Sequence, residues 1–237
     1  MSFNHSIAKS TAIACAIGGS LLLSGCGSSD HESSARTYEI SVSNRTANQP
    51  LSPIAVVLHQ TGYAAWTDGE AASTPLEVLA EGGDNASLLS TASASEFYLA
   101  SDSGSGPIGP GNYDSVQLEI DTADTINVSV VSMLVNTNDA YTGVNAASIA
   151  ALATGKSMRF STPVWDAGTE DDSEAAGTIP GPADGGEGYN AARSDTNNRV
   201  RFHSGVISNQ DGLSNSILNG SHRFDNPAAT ITVTRIN

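Results

Sequence analysis

Alternation of apolar and polar residues with period two limits the folds open to this chain more than any other feature. In Tyr38-Glu39-Ile40-Ser41-Val42-Ser43, in Ser115-Val116-Gln117-Leu118-Glu119-Ile120 and in Ala229-Thr230-Ile231-Thr232-Val233-Thr234, every second side chain is apolar. Successive side chains of a strand point to opposite faces, so each segment is predicted to be a half-buried strand. Ile54-Ala55-Val56-Val57-Leu58 is apolar without a break and ends at His59, which predicts a strand buried on both faces. Residues 126–130 alternate, and residues 131–135 continue with the phase moved by one. A one-residue slip turns every side chain to the other face, so a bulge is expected near Val130 and Val131.

Further strands are predicted at 97–99, 157–165 and 199–203. Leu76, Leu79 and Ala80 lie at helical spacing before Gly82-Gly83, predicting a short helix over 75–81. A second short helix is predicted over 146–154. Residues 84–96 are polar and rich in Ala and Ser, and no element is assigned to them. Residues 104–111 hold four Gly and two Pro and must be a loop. Residues 171–198 form the longest stretch without periodicity, and compact domains seldom hold such a loop without a use for it. About eight short strands with Gly/Pro punctuation predict an all-β chain folded as an antiparallel β-sandwich. No internal repeat and no break in composition follow residue 36, so residues 37–237 are expected to form one domain.

The first 26 residues read as an export signal. Lys9 is followed by the apolar run 11–23, too short to span a bilayer, and Leu23-Ser24-Gly25-Cys26 matches the lipobox of bacterial lipoproteins. This predicts a signal peptide over 1–25, acylation of Cys26 and a Ser-rich tether over 26–36. Gly27, where Asp would mark inner-membrane retention, points to an outer-membrane lipoprotein facing the periplasm or the outside. The second cysteine, Cys15, would leave with the signal, so no disulfide is expected. A net charge of −15 with only 10 Lys and Arg argues against nucleic-acid binding, which draws on cationic side chains, and against electrostatic docking on anionic lipid.

Asp166, Glu170, Asp171, Asp172 and Glu174 place five carboxylates within nine residues. Such a cluster is either solvated or held together by a cation. Gly168 reaches positive φ at little cost and can fold Asp166 and Glu170 toward one point. Hard anionic oxygens on irregular backbone suit Ca²⁺, which takes roughly six to eight oxygen ligands. The plain alternative is a solvated acidic loop.

Other residues carry weaker signals. His59, His203 and His222 lack metal-ligand spacing, and His59 is expected to be a core histidine satisfied by backbone. His203-Ser204 admits a serine hydrolase, although no Gly-x-Ser-x-Gly elbow occurs. Trp66 and Trp165 are either a carbohydrate platform or packed at the margin of the core.

Three segments resemble the spondin N-terminal domain in its short bacterial form. They are Pro53-Ile54-Ala55-Val56-Val57-Leu58-His59 with Gly62-Tyr63 after it, Pro75-Leu76-Glu77-Val78-Leu79-Ala80-Glu81, and Val164-Trp165-Asp166-Ala167-Gly168-Thr169-Glu170. The ending Thr232-Val233-Thr234-Arg235-Ile236 is similar as well. The resemblance implies a C2-like β-sandwich that binds Ca²⁺ at loops on one end. It implies metal ligands at Asp166, Glu170 and Asp139 and no catalytic residue; Asp171 or Asp172, next in the chain, is the reserve donor for such a site. It further implies a role in adhesion through a protein or glycan surface partner. Glu170 stands where the animal pattern has Asp, and Asp139 lacks the Trp that follows it there.

Overall fold

The computed structural model describes residues 35–121, 123–193 and 197–237. The signal, the acylation expected at Cys26 and the tether up to residue 34 lie outside these residues, and the end of the expected tether, Arg36, already belongs to the first strand. No helix among the described residues is long and apolar enough to cross a membrane.

The alternating segments form the first sheet. Strands β1 (Arg36–Asn44), β4 (Tyr113–Ile120), β7 (Ser157–Thr162) and β10 (Ala229–Arg235) pair antiparallel in the order β4-β1-β10-β7. Their inward residues Tyr38, Ile40, Val42, Val116, Leu118, Ile120, Ile231 and Val233 are buried, while Ser, Thr and charged residues between them face outward. The second sheet has the order β3-β2-β5-β6-β8-β9, from β2 (Ala55–His59), β3 (Tyr98–Ser103), β5 (Asn127–Met133), β6 (Ala140–Ser148), β8 (Val164–Asp166) and β9 (Arg201–Phe202). Val56, Leu58, Val128, Val130 and Val164 pack between the sheets and complete an all-β sandwich.

Every residue of β2 and β5 is buried, because the second sheet is covered on both faces. Helix α1 (Thr74–Gly82) and helix α2 (Ala86–Ser93) lie on its outer side. Leu76, Leu79, Ala80 and Leu88 there meet Ala55, Val131, Met133, Tyr141 and Trp165. Fully burying a Leu or Met side chain contributes about 1.5–3 kcal/mol, so this second apolar cluster holds the helices against the sheet. Ser73 caps α1 by accepting from the Leu76 N–H, and Gly83 ends it in the left-handed conformation. The register shift expected in β5 falls between Val128 and Val130 against β6.

Three expectations need correction. Residues 146–154 are not a helix: β6 runs through Ser148, pairing Ser148 with Asn127, and turns follow it. Cross-strand pairing overrides the local preference of an Ala-rich segment. Residues 84–96 are not without structure, since α2 lies within them. The strand predicted over 157–165 is two strands, β7 and β8, one in each sheet, divided at Pro163. Proline has no N–H to give a ladder, so it marks the change of sheet.

Candidate functional site

Pairing of β6 with β8 opposes Ala140 to Asp166, so Asp139 and the turn after β8 meet at one end of the second sheet. The Asp139 carboxylate organises that turn. Its Oδ2 accepts the backbone N–H of Thr169 at 2.7 Å and of Glu170 at 3.0 Å. Its Oδ1 is buried and has no hydrogen-bond partner among the described residues. Asp166 Oδ1 accepts the Gly168 N–H at 2.7 Å. Gly168 takes φ +75, as the tight turn requires, and lies against the backbone of Arg199.

The other carboxylate oxygens meet cations. Asp166 Oδ2 lies 2.5 Å from Arg201 Nη2, and register places Arg201 opposite Asp166 on β9. Glu170 Oε2 accepts from Asn138 Nδ2 at 3.2 Å, and its Oε1 contacts Arg193 Nε. Neither guanidinium contact has a hydrogen-bond angle, so Asp166 Oδ2 and Glu170 Oε1 are ion-paired but not hydrogen-bonded. Asp172 Oδ1 lies 3.4 Å from His203 Nε2, and its Oδ2 lies 3.8 Å from Arg201 Nη2.

The structure therefore gathers Asp139, Asp166 and Glu170 around one turn, although their free oxygens point to different neighbours. Among the described residues, one group of three brings its ligand atoms within 4.8 Å of one another: Asp166, Asp172 and His203. Asp172 is one of the two reserve acids. His203 is not among the ligands that the resemblance implies. Its Nδ1 accepts the Gly205 N–H at 2.9 Å, which puts the ring proton on Nε2, facing Asp172. In that tautomer His203 donates to Asp172 and orients it. To bind an ion through Nε2, the ring would have to change tautomer and lose the Gly205 bond.

Burial dominates the electrostatics. It pushes the Asp166 carboxyl up to about 7, helped by the charges of Asp139 and Asp172 and opposed by His203 and Arg201. It pushes Glu170 up to about 8, with Glu81 and Asp139 adding to the effect and Asn138 and Arg193 opposing it. Asp139 is also raised by burial, against the two N–H groups it accepts. For Asp172, burial acts upward but His203, Arg201 and a hydrogen bond with Asp166 hold the group below the usual carboxylate range. For His203, burial acts downward, but Asp172, Asp166 and Asp139 raise its affinity for a proton.

These shifts fix a direction for pH dependence. Asp166 and Glu170 ionise near about pH 4 in an unfolded chain. Folded, they retain protons to about 7 and about 8. The folded state binds more protons across that interval, so its stability falls as pH rises through it. His203, with a raised folded value, adds to the loss as pH rises. Asp172 opposes only below the usual carboxylate range, where the stability it contributes is lost as pH falls. Without divalent ions the melting temperature is expected to be higher at about pH 5 than at about pH 8.5. The reverse order in thermal melts with EDTA would contradict this account.

The remaining sequence candidates are occupied. His59 donates from Nδ1 to the Gln60 carbonyl at 2.8 Å and accepts at Nε2 from Ser129 Oγ at 3.0 Å, with both residues buried. It is the core histidine expected. Both nitrogens of His203 face other groups, leaving none for Ser204. Trp66 and Trp165 are largely buried, with rings 5.7 Å apart, and Trp165 stacks on the exposed Phe202 at 4.3 Å. Trp66 and Trp165 also line an open cleft of about 530 Å³ with Asp68, Asn145 and Arg159.

Two antiparallel sheets with a buried carboxylate cluster at one loop end define a β-sandwich domain of the kind the resemblance implies. The Spondin_N family model matches residues 36–179, more than half of the chain, and the protein belongs to that family. No curated protein matches the chain. The match covers Asp139, Asp166, Glu170 and Asp172 and ends before Arg193, Arg201 and His203. Sequence reasoning missed those three as neighbours of the acids. The signal available was that the long loop and the strand after it contain isolated cations in a strongly acidic chain.

Proposed function

We propose that this protein is a non-catalytic cell-envelope domain that holds Ca²⁺ at one loop end of its sandwich and presents that end to a protein or glycan partner. Asp139, Asp166 and Glu170 would hold the ion, with Asp172 as a further oxygen donor. The observation that carries the reading is Asp139 Oδ1, a buried carboxylate oxygen with no hydrogen-bond partner among the described residues. A buried charged oxygen left without a partner is costly, and a cation relieves the cost. The donor set supports Ca²⁺ because it is built of carboxylates on turns, the hard and flexible oxygen shell that ion takes. Bound there, the ion would supply fixed positive charge that draws the acids together and rigidifies the loops around them. In this reading Cys26 carries the lipid that tethers the domain to the outer membrane.

Calorimetric titration with Ca²⁺, run beside Asp166→Asn, tests the reading. One saturable site that disappears in the variant is the expected result. Melts with Ca²⁺ and with EDTA should separate, since a ligand at 100 times its Kd stabilises the native state by about 2.7 kcal/mol. No heat and no melt shift at millimolar Ca²⁺ would overturn the ion and leave the acids neutralised by Arg193 and Arg201.

The cleft beside Trp66 and Trp165 favours a second reading, a glycan-binding module that needs no ion. Its lining combines aromatic edges with the polar groups of Asp68, Asn145 and Arg159. Retention on a glycan array that survives EDTA, and that Arg159→Ala reduces, would support this reading over the first.

A further inference from the structure

Arg193 occupies an unusual place. It reaches out of the long loop and lies between two buried carboxylates that belong to different elements. One is Glu170, in the turn after β8; the other is Glu81, at the end of α1. Glu81 is 1% exposed and Glu170 is 4% exposed. Each is pushed toward its protonated form by burial and drawn back by the same guanidinium. The loop is seated on α1 by more than this charge. Asn190 N–H donates to Glu81 Oε2 at 3.3 Å, and Arg193 Nη2 also contacts the Gly188 carbonyl of its own loop. Gly82 lets the backbone of Tyr189 come so close that a Cβ there would lie 3.2 Å from the Tyr189 nitrogen.

We infer that Arg193 is a built-in stand-in for the cation, and that loading the ion site unfastens residues 188–193 from the end of helix α1. The inference rests on the reading that Glu170 is one of the ion's ligands. A divalent cation on Glu170 Oε1 and the Arg193 guanidinium claim the same oxygen, so the two exclude one another. The existing contact is an ion pair without a hydrogen bond, so the entering cation has only the guanidinium's charge to displace. Once Arg193 leaves, the Glu81 carboxylate keeps the Asn190 N–H but loses its cation. The loop then has one fewer tie to the helix, and an arginine is released at the surface beside the loaded site. Ion binding would thus tighten the Asp139–Glu170 turn while loosening the neighbouring loop, exchanging one ordered surface for another.

The experiment combines Ca²⁺ titration with amide hydrogen exchange on wild type, Arg193→Gln and Glu81→Gln. Glu81→Gln leaves the proposed ligands in place and removes the charge of the second anchor of Arg193, while its amide oxygen can still accept from Asn190 and Thr169. Both variants are expected to bind Ca²⁺ about tenfold more tightly, because each weakens the competitor. In wild type, Ca²⁺ should slow exchange at Thr169 and Glu170 and speed it at Asn190. Faster exchange on adding a ligand is a sign that a purely structural arginine would not produce. Equal affinities in the three proteins, with Asn190 exchange unchanged by Ca²⁺, would overturn the inference while the ion site stands. No binding by any of the three would remove the ion site and the inference with it. Binding by the variants alone would mean that Arg193 wins the competition in wild type, and would support the inference.

Discussion

Asp139→Ala is expected to destabilise the protein by about 2–4 kcal/mol in EDTA, although it removes a buried charge. The carboxylate accepts both the Thr169 and the Glu170 N–H, through Oδ2. Alanine leaves two donors buried, and each unsatisfied one costs about 1–3 kcal/mol. Relief of the unpartnered Oδ1 returns part of that loss. Asp139→Asn separates the two roles. Its amide oxygen can still accept both N–H groups, while the charge is gone. In EDTA the Asn variant should equal or exceed wild type; with Ca²⁺ it should fall below it, because the ion loses an anionic ligand. Urea unfolding of the three proteins, with Ca²⁺ and with EDTA, reads the comparison. An Asp139→Ala midpoint equal to wild type in EDTA would mean that the turn does not depend on this carboxylate.

Gly168→Ala should be at least as damaging, for a reason local to the backbone. Gly168 holds φ +75, and a Cβ added there would lie 2.6 Å from both the N and the O of Arg199. The left-handed conformation alone costs a side-chain-bearing residue about 1–2 kcal/mol. The clash is with backbone, so no rotamer change relieves it, and β8 and the segment before β9 must move apart. A total loss of about 3 kcal/mol or more is expected, together with loss of Ca²⁺ binding as Asp166 and Glu170 separate. Gly155→Ala is the control. It has nearly the same φ, +72, with nothing within 4 Å of the added Cβ, and should show the conformational cost alone. Thermal melts in which the two variants match would refute the close-approach argument.

What was legible in the sequence was whatever rests on local pattern. Alternation located β1, β4 and β10, and an unbroken apolar run located β2, because strand faces repeat every two residues. The Asp166-Ala167-Gly168-Thr169-Glu170 turn was legible because the glycine and the acids stand next to one another. Residues 146–154 misled because alanine favours a helix locally while the partner strand, remote in sequence, sets the outcome. Helix α2 was missed because it buries little beyond Leu88 and Ala92, too few positions to make a visible stripe. Glu81, at the end of the predicted helix, is buried with residues 188–193 folded over it, which no local spacing encodes. Arg201 and His203 reach the acids by topology, as β9 joins the edge of the second sheet beside β8, and Arg193 reaches them from the long loop.

The strand order of the first sheet also bears on how the molecule is assembled. β10, the last strand of the chain, lies between β1, the first, and β7. Seven residue pairs join it to β1 and six join it to β7. The sheet therefore cannot close until β10 has been made, after every other strand described. Until β10 is in place, β1 has one open edge and β7 has no partner in the sheet. Such far-separated pairing is slow to form, because loop closure must precede any gain from contact. A chain that has not yet placed β10 therefore carries open strand edges in this sheet, the kind of edge that templates pairing with other chains.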